Sequence, residues 1–274
     1  MTFVRRVVLV LAVLGIAAAV WRLEAPRAGL ERTDLRVGDT PATVWRSPGA
    51  APAPVVIIAH GFAGSRPLME GFAQVLARAG YIAVAYDLAG HGLNPVPMSG
   101  DVGSLDGTTR VLLDEMGRVA DAALALPGAD GRLALVGHSM ASDLVVRQAL
   151  RDPRVGAVVA VSLFSRAVTA AAPPNLLVVT GAWEAGLTDE ALRVARLADP
   201  AAGPSVTVGT PGVNARRAVL APGVEHVGVL YSRTTLTETR DWLNLAFGRD
   251  GGGAVPLRGP WVLLLMVSLV AVVW

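Results

Sequence analysis

Apolar residues along the chain follow three patterns. Residues 7–21 form a charge-free run, and residues 261–274 form another. Between them, from about residue 30 to residue 248, short apolar runs alternate with amphipathic stretches. The runs at 55–59, 81–86, 133–136, 155–161, 176–180 and 218–221 are rich in Val, Ile, Leu and Ala, as strands buried on both faces should be. Residues 35–37 and 43–46 predict an antiparallel pair ahead of them. Helices are predicted over 68–79, 105–126, 143–150, 188–197 and 235–247. Gly80, Pro127-Gly128 and Gly248 stand where three of these should stop. Thr188 is the expected N-cap of the fourth, with Asp189 and Glu190 in its first turn. Strands alternating with helices predict an α/β fold, a mostly parallel sheet covered on both faces. In such sheets chemistry collects at the carboxyl ends of the strands.

The two ends set the domain organisation. Arg5 and Arg6 precede the first run, which has the layout of a signal peptide or signal anchor. Its span falls short of the roughly 20 residues that cross a bilayer, but Phe3 and Val4 extend it if the arginines snorkel. A retained anchor is favoured over a cleaved signal, for which Ala17-Ala18-Ala19 would be the cleavage site, and over a buried helix. Pro260 and Trp261 resemble an interfacial start to a second membrane helix. That run reads either as a re-entrant or tail anchor or as part of a longer multi-span protein. The expected division is an anchor and connector at 1–29, the α/β domain at 30–248, a flexible Gly-rich linker at 249–260 and a transmembrane-like segment at 261–274. Arg5 and Arg6 favour a cytoplasmic N-terminus. The middle domain is then expected outside a bacterial cytoplasmic membrane, although Arg22, Arg27, Arg32 and Arg36 blunt the bias.

Composition narrows the chemistry. Hydrophobic residues make up 53% of the 274 and charged residues 17%, a balance that leans toward membrane segments. The formal net charge of +2, with no long basic run, does not suggest a nucleic-acid partner. Without Cys there is no disulfide, thiolate metal site or thiol nucleophile. No clustered His/carboxylate motif or phosphate-loop Lys appears, so no metal and no cofactor are expected.

The candidate chemistry follows the apolar runs. Gly137-His138-Ser139-Met140-Ala141 comes directly after the strand at 133–136 and opens a helix. A strand turning sharply into a helix strains the middle residue and needs small neighbours two positions either side. Gly137 and Ala141 are small, and Ser139 would present its hydroxyl at a helix N-terminus. Taken alone, the pentapeptide is as compatible with an ordinary strand-to-helix turn. His60-Gly61-Phe62-Ala63-Gly64-Ser65 follows the strand at 55–59. Its Phe62 N–H, with that of Met140, could form an oxyanion hole, the alternative being a Gly-rich turn. His226 lies beyond Ser139 and outside the elbow, in the position for a general base, though a loop His without a role fits too. Glu184 follows the strand at 176–180 as the candidate acid, with Asp189 the runner-up. Asp87 and the glycines to Gly92 read as a structural turn, with His91 a weaker candidate for substrate contact. His138 reads as packing, and Glu225 as pointing away from the imidazole. Trp183, Met98 and Phe62 could line an apolar cleft, or simply pack.

His60-Gly61, Asp87 to Gly92, Gly137 to Ala141, Glu184 and His226, in that order, resemble the α/β-hydrolase superfamily over residues 30–248. The resemblance implies a mostly parallel sheet of about eight strands and a Ser139–Glu184–His226 triad. The superfamily often inserts a lid after its sixth strand, and the short interval 165–175 leaves no room for a large one. The resemblance does not fix a substrate, because this fold hosts many chemistries, and the leading reading is hydrolysis of a carboxylic ester or related acyl bond through an acyl-serine. Peptidase and thioesterase activities stay open. A lipid-like or other small acyl substrate and the membrane are the expected partners. A non-catalytic binding or assembly module attached to a membrane-spanning region is the alternative.

Overall fold

The computed structural model describes residues 2–49, 51–101 and 104–273. Met1 and Trp274, which bound the two apolar stretches, lie outside the described residues. The strands are β1 (Glu31–Val37), β2 (Thr40–Arg46), β3 (Ala53–Ala59), β4 (Ile82–Tyr86), β5 (Ala129–His138), β6 (Val155–Val161), β7 (Leu176–Gly181), β8 (Thr207–Val208) and β9 (Arg216–Ala221). They form one sheet in the order β1-β2-β4-β3-β5-β6-β7-β9-β8. The six inner strands from β4 to β9 run parallel. The pairs β1–β2, β2–β4 and β8–β9 are antiparallel.

β3, β4 and β7 are buried along their whole length on both faces, as their apolar sequences require. Along β3, Val55, Ile57 and Ala59 join one core, with Leu112 and Met116 of α3 (Arg110–Leu124), Leu144 of α4 (Met140–Arg151) and Val194 of α5 (Ala185–Ala198). Val56 and Ile58 point the other way, toward Phe72 of α2 (Glu70–Arg78) and Trp242 of α6 (Arg233–Phe247). The period of two along each strand thus builds two cores, one per face. Gly248 ends α6 in the left-handed conformation, φ 60°, that a helix stop favours.

Several expectations are corrected. The sheet has a ninth strand, β8, too short to leave a pattern in the sequence. The helix expected over 105–126 is broken: a π-type turn covers Leu105–Thr109 and α3 starts at Arg110. Gly107 departs from helical geometry, and a Cβ there would lie 2.5 Å from the Asp101 carboxylate. α5 starts at Ala185, so Thr188 lies inside it and gives its hydroxyl to the Ala185 carbonyl instead of capping. The segment between β6 and β7 carries neither helix nor strand, in keeping with the absence of a large lid.

The terminal apolar stretches form α1 (Phe3–Glu24) and α7 (Gly259–Val273), which pack on each other. The contact uses small residues: a Cβ at Gly15 would lie 2.4 Å from Ser268 Oγ, and Ala12, Ala19 and Ser268 are buried. The Arg22 guanidinium stacks 5.1 Å from both the Trp21 and Trp261 rings. Among the described residues, only α1 is long and apolar enough to cross a membrane. The pair is fastened to α2: Arg27 bonds Glu70 at 2.6 Å, Arg78 reaches the Pro26 and Ala28 carbonyls, and buried Arg258 donates to Gln74 at 2.9 Å. The Gly-rich segment expected to be flexible is pinned by bonds from Asn244 to the Gly251 carbonyl and from Arg240 to that of Gly253. A Cβ on Gly251 would sit 2.0 Å from the Ala79 carbonyl, so glycine there permits close packing.

Candidate active site

Ser139 sits between the end of β5 and the start of α4 at φ 53°, ψ −118°. For a residue with a Cβ this backbone costs about 1–3 kcal/mol, so the surroundings must hold it in place. They do so through the Ser139 N–H, which donates to the Val161 carbonyl at 2.9 Å, and the Ser139 carbonyl, which accepts from the Ser142 hydroxyl at 2.5 Å. The turn is tight enough that a Cβ at Gly137 would lie 2.3 Å from the Ala141 carbonyl oxygen. Ala141, where the superfamily pattern more often has glycine, is fully buried and fits.

The Ser139 hydroxyl donates to His226 Nε2 at 2.8 Å, and His226 Nδ1–H donates to Glu184 Oε1 at 2.5 Å. His226 lies on the loop after β9, and Glu184 closes the turn between β7 and α5. The second carboxylate oxygen, Oε2, accepts from the Gly181 N–H at 2.6 Å and from the Ser162 hydroxyl at 2.8 Å. Gly181 must be glycine for this, because a Cβ would fall 2.9 Å from Glu184 Oε2 and 2.5 Å from the Val224 carbonyl. Ser162 escaped the sequence reading. Its signal was a polar residue closing the apolar run of β6, and it takes φ 54° to aim inward. The runner-up acid, Asp189, is exposed on α5 and away from this chain of bonds. Glu225 accepts from the Val227 and Gly228 N–H groups and so shapes its own turn.

The loop after β3 comes close to the elbow, since a Cβ on Gly61 would be 2.9 Å from Ser139 Cβ. Among the described residues no acceptor takes the Phe62 or Met140 N–H. His60 shapes this loop: its Nδ1–H donates to the Gly61 carbonyl at 2.7 Å and Nε2 accepts from the Leu88 N–H at 3.1 Å. Burial lowers its pKa, so the ring is held neutral. His91 is buried, and its ring meets Phe62 edge-on at 5.5 Å, which puts it beneath the loop. Asp87 accepts from the Arg66 and Leu93 N–H groups, as a turn-shaping carboxylate should. Phe62 and Trp183 are largely exposed, whereas Met98 packs against the Gly90 turn.

His138 has a supporting place as well. Its Nε2–H donates to the His226 carbonyl at 2.9 Å, with the two rings 4.9 Å apart. Burial pulls its pKa from 6.5 down to about 4, while the bond to His226 acts in the opposite sense. The unfolded chain therefore binds the proton more readily. The ring's contribution to stability is full above pH 6.5 and is lost as pH falls toward about 4, by roughly 3 kcal/mol. His138→Gln is expected to flatten the decline in urea midpoint between pH 7 and pH 4.5 by a corresponding amount. An unchanged decline would refute this.

A mostly parallel sheet with helices on both faces and a strained serine at a strand-to-helix elbow defines an α/β hydrolase. The profile of the family described as Serine aminopeptidase, S33, matches residues 50–202, more than half of the chain, and the chain belongs to that family of hydrolases. Comparison with curated proteins returns no match. Among solved structures, one described as a dienelactone hydrolase from Klebsiella pneumoniae superposes with TM-score 0.58 at 19% identity, covering 80% of this chain and 98% of that one. Est1E from Butyrivibrio proteoclasticus, with ferulic acid bound, gives 0.58 at 14%, covering 79% and 100%. A bacterial membrane phospholipase A gives 0.56 at 17%, covering 88% and 97%. At these identities the likeness establishes the fold.

Proposed function

We propose that the chain is a membrane-anchored serine hydrolase that cleaves a carboxylic ester or related acyl bond through an acyl-Ser139 intermediate. The observation that carries this reading is the continuous line of hydrogen bonds from Ser139 through His226 to Glu184. His226 takes the hydroxyl proton as Ser139 Oγ attacks the acyl carbon, then returns it to the departing oxygen. Glu184 holds the proton on Nδ1, so that Nε2 is the acceptor, and stabilises the imidazolium. The N–H groups of Phe62 and Met140 bind the oxyanion. Water, activated by the same imidazole, then releases the acid. The domain at 30–248 does this work outside the cytoplasm, and α1 with its connector, residues 1–29, is the anchor. The segment 261–274 joins it at the membrane, linked by 249–260.

A fluorophosphonate probe applied to the full chain in detergent is expected to modify Ser139, located by peptide mapping. A folded protein that stays unlabelled would instead favour a non-catalytic binding or assembly module. The family description favours one further reading, hydrolysis of a peptide. Turnover of amino-acid anilides at rates above those of short esters would establish it.

A further inference from the structure

An open groove of about 790 Å³ runs between the loop that carries His226 and the first turns of α7. Its volume is that of a small-molecule site. One wall includes Trp183, beside Glu184, and Val227, beside His226. The other includes Leu257, Leu263 and Met266. All five side chains are more than half exposed, an unusual run of bare apolar surface, part of it on the loops that carry Glu184 and His226. Arg233, exposed at the N-terminus of α6, stands at the rim.

We propose that this groove binds the acyl chain of a membrane-resident lipid ester and leads it to Ser139. The inference rests on the hydrolase reading above and adds the substrate class. Two observations select the occupant. The outer wall belongs to a helix pair that is apolar on its outside, so the groove connects the surface that would face lipid with the loop that bears His226. The wall is also held in register with the domain, because Arg258, just before α7, is buried against Gln74, and Arg27 and Arg78 tie the end of α1 to α2. An apolar floor with a cationic rim suits an amphiphile whose chain lies along Leu263 and Met266 and whose polar end reaches Arg233.

The test compares p-nitrophenyl esters of two to twelve carbons with the full chain in detergent micelles. For the wild type, kcat/KM is expected to rise about twofold to fourfold per added methylene, the increment of burying a CH2 group. In Leu263→Gln/Met266→Gln the long-to-short ratio is expected to collapse toward one. Each ratio is taken within one protein, so partial misfolding does not move it, and comparing the two proteins cancels partition of esters into micelles. A second arm uses Ser139→Ala in phosphatidylcholine nanodiscs carrying a diazirine-tagged long-chain ester. Photolabel is expected on Trp183 or Val227. A flat wild-type profile, an unaltered ratio in the double variant, or label confined to the outer faces of α1 and α7 would overturn the groove. If no ester of any length is turned over yet label still lands on Trp183 or Val227, the groove stands and the hydrolase reading falls.

Discussion

Ser139→Ala is expected to lower kcat on a short soluble ester by about 10⁴-fold or more, the loss expected when the nucleophile of such a triad is removed. The protein should remain folded, because the hydroxyl bonds the His226 ring, whereas the bonds that hold the elbow, to Val161 and from Ser142, run through the Ser139 backbone. A second variant separates chemistry from strain. At φ 53°, ψ −118°, glycine is free of the penalty that any Cβ incurs. That penalty, about 1–3 kcal/mol, exceeds the roughly 0.5–1 kcal/mol of extra chain entropy that glycine loses on folding. Ser139→Gly should therefore be inactive yet more resistant to urea than Ser139→Ala. Turnover within tenfold of wild type in either variant would remove Ser139 from the reaction. Equal stability of the two would show that the elbow is relaxed.

Much of this architecture was legible because its strands are buried on both sides. An unbroken apolar run such as 155–161 has few other fates in a chain of alternating strands and helices, and β6 spans those residues. Ser139, Glu184 and His226 were singled out because each follows such a run, and the structure brings the three side chains into hydrogen-bonding contact. What escaped depends on contacts between distant parts of the chain. Ser162 is one of many serines until Glu184 lies 2.8 Å from it. β8 exists through its pairing with Arg216 and Arg217. The start of α5 moved because the turn that positions Glu184 leads directly into helix, which a polar N-cap pattern at Thr188 did not reveal. The two terminal apolar stretches were read separately, since nothing local says that Gly15 will meet Ser268. The groove beside the His226 loop is invisible until the start of α7 lies against that loop.

Glu184→Gln should be nearly as damaging as loss of the nucleophile, with kcat reduced about 10³- to 10⁴-fold, and the reason lies in which oxygen can become nitrogen. The Oε2 position receives the fixed N–H of Gly181 at 2.6 Å and the hydroxyl of Ser162 at 2.8 Å. Two donors there demand an acceptor, so the amide carbonyl of Gln must occupy that place. Its NH2 is then turned to the Oε1 position, 2.5 Å from His226 Nδ1. A donor facing Nδ1 forces the imidazole proton onto Nε2, and Nε2 can no longer accept from Ser139. The geometry survives while the tautomer is wrong, a situation worth about 10⁴ in rate in a comparable triad. Adding Ser162→Ala should not rescue the variant, since the Gly181 N–H alone keeps the amide oriented. Asp189→Ala, on the exposed face of α5, should stay within about twofold of wild type, within the scatter of surface substitutions away from such features. The measurement is kcat for the four proteins on one soluble ester at a pH where wild type is most active. A Glu184→Gln enzyme that keeps more than a tenth of wild-type kcat would mean that His226 does not depend on this carboxylate for its proton placement.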